Sequence, residues 1–460
     1  MDKIEKILGN LDNSFTELKA KEFSASTSFP KGYSKEEYIE SKKEAREELR
    51  EFLKFDCCEK TIFATGHQPE LFHPGLLYKD FLISKFAKND NSIALHVTVD
   101  TDVFEYSYLY PIAKNSFAEL REFHLPNPDQ KIFRDFVLDK TRLEELLKVL
   151  ESWEENSSRF ISKSNLDEFK LWHSRYIELI KTNSIIEANE TLRKEFLIHN
   201  HRNLLTLKVS ELIQFKTYAN FVEKIRSNLA SYREYYNLAL REYREEHKIK
   251  NHAQPLPDLA EDEMPFWILE NGKRAPMKKD TISDVIIPRA VTLTTFLRLF
   301  LCDFFVHGIG GARYEDVSDR ILAKLYEFHA APFEVGTATI YLSNSESFEL
   351  EGLNEKEIES SLRDINYSPE KFLSPENELA IQKKSLQEKF KDPSSDKKSL
   401  HKEIESLNSK MKNLLDEKQL ELENAKVKAP LLAKTKEVFS TRTFPFYFYD
   451  LKELISTTED

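Results

Sequence analysis

The chain has little glycine, little cysteine and no excess of positive charge. Ten glycines in 460 residues compare with roughly 7% in average proteins, so glycine clusters here indicate sharp turns or close backbone approaches. The three cysteines, Cys57, Cys58 and Cys302, lack the number and spacing of a disulfide framework or zinc motif, which favours a reducing, cytoplasmic location. A net charge of −12 argues against non-specific nucleic-acid binding.

Long apolar runs are also missing. No segment reaches the ~18 consecutive apolar residues of a membrane span, and the start, MDKIEKILGN, has no apolar core of signal-peptide length. We therefore expect a soluble protein without a membrane partner. Hydrophobic residues still make up 40% of the chain and aromatic residues 12%, which is enough for a core in a protein of several structural units.

The order of hydrophobic patterns predicts an α/β protein with a Rossmann-like parallel-sheet core and helical insertions. TIFAT and NSIALHVTVDTD are typical of buried strands, and the helical pattern between them completes a βαβ unit. PFWIL and GTATIYL are predicted as later strands. The predicted segments are an N-terminal helical segment (1–54), the first half of the core (55–139), a helical insertion (140–255), the second half of the core (256–352), a coiled-coil hairpin (353–430) and a C-terminal segment that docks on the core (431–460).

The coiled-coil hairpin is predicted from one apolar stripe. Its members alternate spacings of four and three, the heptad pattern of a coiled coil: Leu400, Ile404, Leu407, Met411 and Leu414. The polar break KDPSSDKKS separates this helix from the one before it, and two helices joined by a short turn predict an antiparallel hairpin. The alternative is a single amphipathic helix packed on the body of the protein.

The loop FATGHQPELFHPGLLYKD combines rare glycines with polar side chains between a strand and a helix. Open α/β sheets bind ligands at such positions. The amides at the start of the helix could face an anion, the histidines and lysine could contact phosphate, and the glutamine could orient a hydroxyl or carbonyl. The alternative is a helix start whose histidines only cap backbone groups. The candidates are Gly66, His67, Gln68, His73, Gly75 and Lys79.

Two carboxylates, Asp100 and Asp102, follow the next predicted strand. Residues two apart share a face of a strand, so we expect both to point the same way and to bind a cation, a substrate amine or hydroxyl groups. The alternative is a solvated strand end with a helix cap. Two acids without a third ligand are no metal signature, and no metal site is predicted.

The stretch HGIGGARYEDVSD holds a second glycine cluster. It completes neither the dinucleotide fingerprint nor a Walker A loop, but glycines beside histidine and arginine suit phosphate or carboxylate recognition. The alternative is a tight turn between helices. The candidates are His307, Gly308, Gly310, Gly311 and Arg313. Nearby, Arg298 lies in an apolar helix and requires a buried partner, for which an acid is the expectation.

The first of these regions resembles a known family. ATGHQPELFHPGLLYKDFLISKFAK followed by VTVDTD is similar to the bacillithiol biosynthesis cysteine-adding enzymes. In that family a Thr-Gly-Gln-Gln-type loop precedes a Gly-Pro-Leu-Tyr helix, and an Asp-x-Asp strand end follows. The downstream order of segments is similar too, although close motif similarity is confined to residues 61–111 and 286–320.

The resemblance implies a Rossmann-like core related to class I aminoacyl-tRNA synthetases and a coiled coil that forms a homodimer. It also implies nucleotide binding and the joining of cysteine to a glucosaminyl-malate amine. His67 stands where the family has glutamine, and no Lys-Met-Ser-Lys-Ser-like loop is present. The residues that match the family pattern are Gly66, His67 and Gln68 in the loop, Tyr78 in the helix, and the acidic pair Asp100 and Asp102.

Together, the residues and the resemblance suggest a ligase that uses ATP, with or without Mg²⁺. It would add an amino acid, with cysteine as the first candidate, to an amine of a small sugar-type acceptor, as in low-molecular-weight thiol biosynthesis. Two alternatives stay open: a nucleotidyltransferase acting on a sugar or phospho-compound, and a non-enzymatic nucleotide-binding scaffold. In the ligase hypothesis, phosphate charge is stabilised by His67, His73 and Lys79, a substrate ammonium is held by Asp100 and Asp102, and nucleotide or carboxylate is contacted by His307 and Arg313.

Overall fold

A computed structural model describes residues 33–325, 327, 329–342 and 348–458. The chain divides into two compact units, of which the second comprises residues 110–121 and 344–441 and the first comprises the rest. Much of the predicted N-terminal segment lies outside the described residues, as do a few positions of the predicted second half of the core and of the C-terminal segment. Within the described ranges, every helix is either too short or too polar to cross a bilayer.

The described residues contain ten strands and fifteen α-helices. The strands are β1 Thr61–His67, β2 Ser92–Thr98, β3 Tyr106–Lys114, β4 Phe117–Leu125, β5 Leu205–Lys208, β6 Glu263–Glu270, β7 Lys273–Lys278, β8 Ile286–Pro288, β9 Phe304–His307 and β10 Phe333–Val335. The helices are α1 Lys35–Leu53, α2 Pro74–Phe86, α3 Lys140–Asn156, α4 Leu166–Thr182, α5 Ile185–His199, α6 Val209–Leu212, α7 Lys216–Ser227, α8 Leu229–Glu246, α9 Ala290–Phe296, α10 Ile309–Leu325, α11 Glu355–Tyr367, α12 Glu378–Phe390, α13 Lys397–Asn413, α14 Asp416–Ser440 and α15 Lys452–Ser456.

Five parallel strands form the core sheet of the first unit, in the order β10-β9-β1-β2-β5. In chain order these are the fifth, fourth, first, second and third strands of the sheet. That is the doubly wound Rossmann order, so the predicted fold class is confirmed. The direction of the strand order reverses between β1 and β9, which makes their carboxyl ends the topological switch point.

The predicted βαβ unit is β1, α2 and β2. Every residue of β2 is buried, as expected for a parallel strand covered on both faces. Helix α2 is buried around most of its circumference, because it packs on β1, β2 and β9. The register pairs Thr61 with Ser92 and His67 with Thr98, so both strands end at the same edge of the sheet.

Three strand assignments differ from the sequence expectation. The third strand of the sheet, β5, lies inside the predicted helical insertion and is only four residues long. PFWIL belongs to β6, which pairs antiparallel with β7 and β8 in a separate three-stranded sheet. The stretch GTATIYL has no regular structure where it is described, and the fifth core strand is the preceding segment, Phe333–Val335. Short strands carry too few residues for periodicity to reveal their partners.

In the second unit, four helices occupy the region of the predicted hairpin. Helices α12 and α13 pack on each other across residues 391–396, and α11 packs on α14. Of the predicted stripe, Leu407 and Met411 are buried but Leu414 is 60% exposed. Leu415, beyond the end of α13, is buried instead. Helix α14 runs through residue 430 without a break. The coiled coil and the homodimer stay predictions.

Candidate functional site

The two glycine-rich segments meet at the switch point. Strand β1 leads into the loop before α2, and β9 leads directly into α10. The Thr65 hydroxyl donates to the Val306 carbonyl at 2.7 Å, which fixes the two strand ends side by side. His67 and His307 are the last residues of their strands. The sequence predicted both segments as candidates, and the strand order places them at one edge.

The start of α2 satisfies its own amides. Pro74 has no N–H, the Gly75 amide donates to His73 Nδ1 at 3.1 Å, and the amides of residues 76 and 77 donate to the His73 carbonyl. The expectation that these amides face an anion is therefore wrong. The capping alternative is confirmed for His73, which is the N-cap of α2. Gly75 is required sterically, since a Cβ there would lie 2.6 Å from the Ala338 carbonyl oxygen.

Lys79 extends from α2 back to the end of β1. It is 2% exposed, and its ammonium group donates to the Gly66 carbonyl at 2.9 Å. Burial lowers the pKa of Lys79 to about 8, so at pH 7 the side chain is mostly a cation that is readily deprotonated. A lightly partnered buried cation attracts an incoming anion strongly, because the local dielectric constant is low.

The charge of Lys79 contributes to the pKa shifts of three histidines, and each shift favours the neutral imidazole. Burial lowers the pKa of His67 well below its ordinary value, and the charge of Lys79 adds to the shift. Burial lowers the pKa of His73 to about 4, with further contributions from Arg442 and Lys79. Burial also lowers the pKa of His307, where Glu315 opposes the shift and Lys79 adds to it. The charge of Lys79 thus acts on histidines of both segments.

The start of α10 leaves its amides open. The His307 carbonyl accepts from Gly336 at 2.7 Å and so is directed toward β10. The amides of residues 309–311 consequently have no acceptor among the described residues. A Cβ at Gly308 or Gly310 would meet no protein atom within 4 Å. Open amides at the start of a 17-residue helix form an anion-binding position.

Gly311 has a different role from its two neighbours. A Cβ at this position would lie 2.5 Å from His307 Nδ1, so glycine allows the imidazole to pack against the first turn of α10. Gly336 behaves similarly at the end of β10, because its Cβ would meet Leu82 at 2.6 Å and Val306 at 2.9 Å. Sequence reasoning missed Gly336, which stands alone outside any glycine cluster.

Polar contacts around the buried Glu315 carboxylate link His307 and Arg298 to α10. His307 Nε2 lies 3.1 Å from Glu315 Oε1, and Arg298 contacts the other oxygen of Glu315 at 2.5 Å and Asp319 at 2.7 Å. The prediction that Arg298 has a buried acidic partner is confirmed. Burial raises the pKa of Glu315, but His307 and Arg298 outweigh it and bring the pKa below its ordinary value. These contacts fix the position of His307 relative to α10.

The acidic pair does not form one site. Asp100 is buried, so it is not the solvated strand end of the alternative, and it accepts hydrogen bonds from the backbone amide and hydroxyl of Ser210 in the first turn of α6. Burial raises the pKa of Asp100, although Ser210 opposes the shift. Asp102 instead accepts from Gln68 Nε2 at 2.8 Å and contacts Arg274 at 2.5 Å. Among the described residues, no group of His, Cys, Asp and Glu could hold a metal ion.

Glu70 is a candidate that sequence reasoning missed. It lies in the first loop, and burial together with the charge of Asp102 raises its pKa to about 7. A carboxyl group with a pKa near 7 is suited to proton transfer at neutral pH. Arg274, on β7, was missed as well, because only the folded chain brings this hairpin strand to Asp102. Neither residue belongs to a recognisable motif.

Two predicted candidates lie away from the open amides. Tyr78 is 2% exposed within α2, which leaves its ring little surface for a ligand. Arg313 is exposed and lies near Tyr243 of α8, where its charge opposes the rise that burial causes in the pKa of the tyrosine. The candidate site therefore centres on Gly66, His67, Lys79 and the turn that follows His307.

No protein-family model matches this sequence, and no curated protein does. Among solved structures, the chain is similar to tyrosyl-tRNA synthetase complexed with L-tyrosine from Archaeoglobus fulgidus. The identity is 14% and the TM-score 0.26, over 87% of this chain and 99% of that chain. The strand order of the core sheet, and not this likeness, identifies the fold.

Proposed function

We propose that this protein is an ATP-dependent ligase whose nucleotide site is the turn between β9 and α10. The observation that carries the proposal is the set of open amides at residues 309–311, which start a long helix at the switch point of a Rossmann sheet. Such amides and the helix dipole favour a phosphate group. Gly308 and Gly310 leave the space above them free of side chains.

Lys79 supplies the positive charge that a triphosphate requires. Its ammonium group is held at the end of β1 by the Gly66 carbonyl, on the strand next to β9. Because His67 and His307 are neutral, they contribute hydrogen bonds and no additional charge. Preorganised donors of this kind stabilise charge that develops on phosphate during attack at the α-phosphorus.

The reaction we propose has two steps. An amino-acid carboxylate attacks the α-phosphorus of ATP and displaces pyrophosphate, and an amine then attacks the activated carbonyl carbon and displaces AMP. The amine must lose a proton in the second step. Glu70, with a pKa of about 7, is suited to accept that proton. The resemblance of residues 61–111 and 286–320 makes cysteine and an amino-sugar acceptor the first substrates to test.

The test is binding of ATP, followed by ATP–pyrophosphate exchange with single amino acids. We expect ATP to raise the melting temperature of the wild-type protein and exchange to depend on one amino acid. Lys79→Met should weaken ATP binding by about tenfold or more, the value of a hydrogen bond to a charged group.

Lys85→Met is the matched control for that variant. Lys85 lies on the same helix and also donates to a backbone carbonyl, that of Thr457, at 3.3 Å. ATP binding should survive this substitution. A protein that binds no nucleotide would refute the proposal, and equal ATP affinities of the two variants would refute the role of Lys79.

A further inference from the structure

A cavity of about 470 Å³ lies in the first unit at the opposite edge of the core sheet from the switch point. Residues 92–94 at the start of β2, residues 204–206 at the start of β5 and the second half of α5 line it. The cavity lies at the amino ends of β2 and β5, whereas the proposed nucleotide site lies at the carboxyl ends of β1 and β9. Its volume is in the range of small-molecule sites.

The cavity is positively charged in a protein that is acidic overall. Arg193, Lys194 and Arg202 line it, and no aspartate or glutamate is among the lining residues. The chain as a whole carries a net charge of −12, so this concentration of cations runs against the composition. Cations that line a concave site raise the local concentration of anions.

The polar groups are fixed in place by buried contacts. Arg193 is 3% exposed and its Nη1 donates to Asp80 at 3.0 Å. Its Nη2 has no hydrogen-bond partner among the described residues, and the nearest acid, Glu190, lies 3.9 Å away. Arg202 is 7% exposed and donates to the Thr458 hydroxyl. Both guanidinium groups are therefore fixed in place, and Nη2 of Arg193 is a donor without a partner among the described residues.

Thr206 and Lys194 complete the polar side of the cavity. The Thr206 hydroxyl is buried and has no hydrogen-bond partner among the described residues, although buried hydroxyl groups are almost always paired. Lys194 is exposed by surface area, and partial desolvation of its ammonium group lowers its pKa, although Glu190 opposes the shift. An anion in the cavity would supply acceptors for both groups.

Apart from Ser92 and Asn203, the rest of the lining is apolar. It includes Phe55, Leu197, Leu204 and Ile198, whose side chain is 63% exposed although it borders the cavity. We propose that this cavity is a second binding site, which takes a small organic anion: a carboxylate or phosphate monoester attached to an apolar group. The anionic oxygens contact Lys194 and Thr206, and the apolar part covers Ile198. The proposal goes beyond the proposed ligase activity and does not depend on it.

The test is isothermal titration calorimetry of the full chain, without ATP, with three naphthalene compounds of similar size. They are 2-naphthoate, 1-naphthyl phosphate and the neutral 2-naphthamide. We expect at least one of the two anions to bind saturably and the amide to bind about tenfold or more weakly, the cost of losing a charged hydrogen bond. The stronger of the two anions distinguishes a carboxylate from a phosphate ligand.

Two substitutions locate the binding. Lys194→Met keeps the aliphatic stem and removes the charge, and Thr206→Val removes only the hydroxyl. Each should weaken the preferred anion by about tenfold, whereas Lys194→Arg and the exposed-lysine control Lys170→Met should not weaken it. Absence of saturable binding by both anions, equal binding of the neutral amide, or full binding by both substituted proteins would overturn the proposal.

Discussion

The loop before α2 and the turn before α10 look alike in the sequence but differ in their hydrogen bonding. Each joins a core strand to a helix, contains glycine and histidine, and lies at the switch point. In the first, the histidine caps the helix and its amides are consumed locally. In the second, the histidine packs beside the helix and the amides of residues 309–311 stay open.

The difference teaches that the partners of the backbone N–H groups decide which segment can bind an anion. His73 precedes its helix directly and reaches the first amide. His307 instead packs against Gly311, and its Nε2 lies 3.1 Å from Glu315 Oε1. Two segments of similar composition therefore have separate tasks: the first contributes Lys79, and the second contributes the phosphate-binding amides.

The largest change in the free energy of unfolding should come from breaking the ion pair between Arg298 and Glu315. Arg298→Met leaves Glu315 buried without its guanidinium partner, so we expect a loss of about 3–5 kcal/mol in the free energy of unfolding. The control is Arg320→Met on α10, the helix that carries Glu315. The partners of Arg320, Glu246 and Asp316, have side chains that are 61% and 42% exposed, so the loss should be below about 1 kcal/mol. Urea denaturation measures both, and equal losses would contradict the account.

The next largest change should distinguish Gly311 from Gly310 at the start of α10. Gly311→Ala forces the His307 ring to move and should cost about 1–3 kcal/mol, as for other overpacked sites. Gly310→Ala introduces a methyl group into open space and should leave the free energy of unfolding unchanged or raise it by up to ~1 kcal/mol, because alanine favours a helix. If thermal unfolding shows the two variants to be equally stable, His307 does not pack as described.

A smaller effect is expected on the pH dependence of ATP binding, through the ammonium group of Lys79. Because the pKa of Lys79 is about 8, the ammonium group that attracts phosphate is lost as the pH rises above 8. The dissociation constant for ATP should therefore increase between pH 8 and pH 9, by up to about tenfold. Lys79→Met should bind weakly at all pH values and lack this increase. A wild-type affinity that does not vary over this interval would contradict the assignment.

The smallest effect should come from the first loop. His73→Ala removes the N-cap of α2 and should cost about 1 kcal/mol in stability, while the dissociation constant for ATP should change by less than about twofold because no open amide lies there. Calorimetric titration of ATP into this variant and into Lys79→Met provides the comparison. If His73→Ala lost more ATP affinity than Lys79→Met, the start of α2 would be the phosphate-binding position, which would contradict the assignment.

Much of the fold could be predicted because it depends on local patterns. The apolar runs of β1 and β2 and the helix between them identified the βαβ unit, and Arg298 in an apolar helix indicated a buried acid. Strand β5 could not be predicted, because its four residues are too few to show a hydrophobic periodicity within a helical region. The pairing of β6 with β7 and β8 was equally hidden, since hydrophobicity alone does not distinguish a core strand from a strand of a second sheet.

The site was predictable only in its location. Rare glycines indicated both segments, but the difference between their amides depends on where the histidine rings point, and this depends on Glu315 and on the His307–Gly336 hydrogen bond. Glu70 was missed because its raised pKa is caused by burial and by Asp102, and no sequence motif records either. The separation of Asp100 from Asp102 likewise follows from Ser210 and Gln68, which only the folded chain brings near.

The most direct test uses the scarcity of glycine. With only ten glycines in the chain, selective ¹⁵N-glycine labelling gives a simple amide spectrum that can be assigned with single glycine-to-alanine variants. On titration with ATP, we predict the largest shifts at the amides of Gly310 and Gly311 and little change at Gly75, whose amide is bonded to His73. A spectrum that does not respond to ATP, or one whose largest shift is at Gly75, would contradict the central claim.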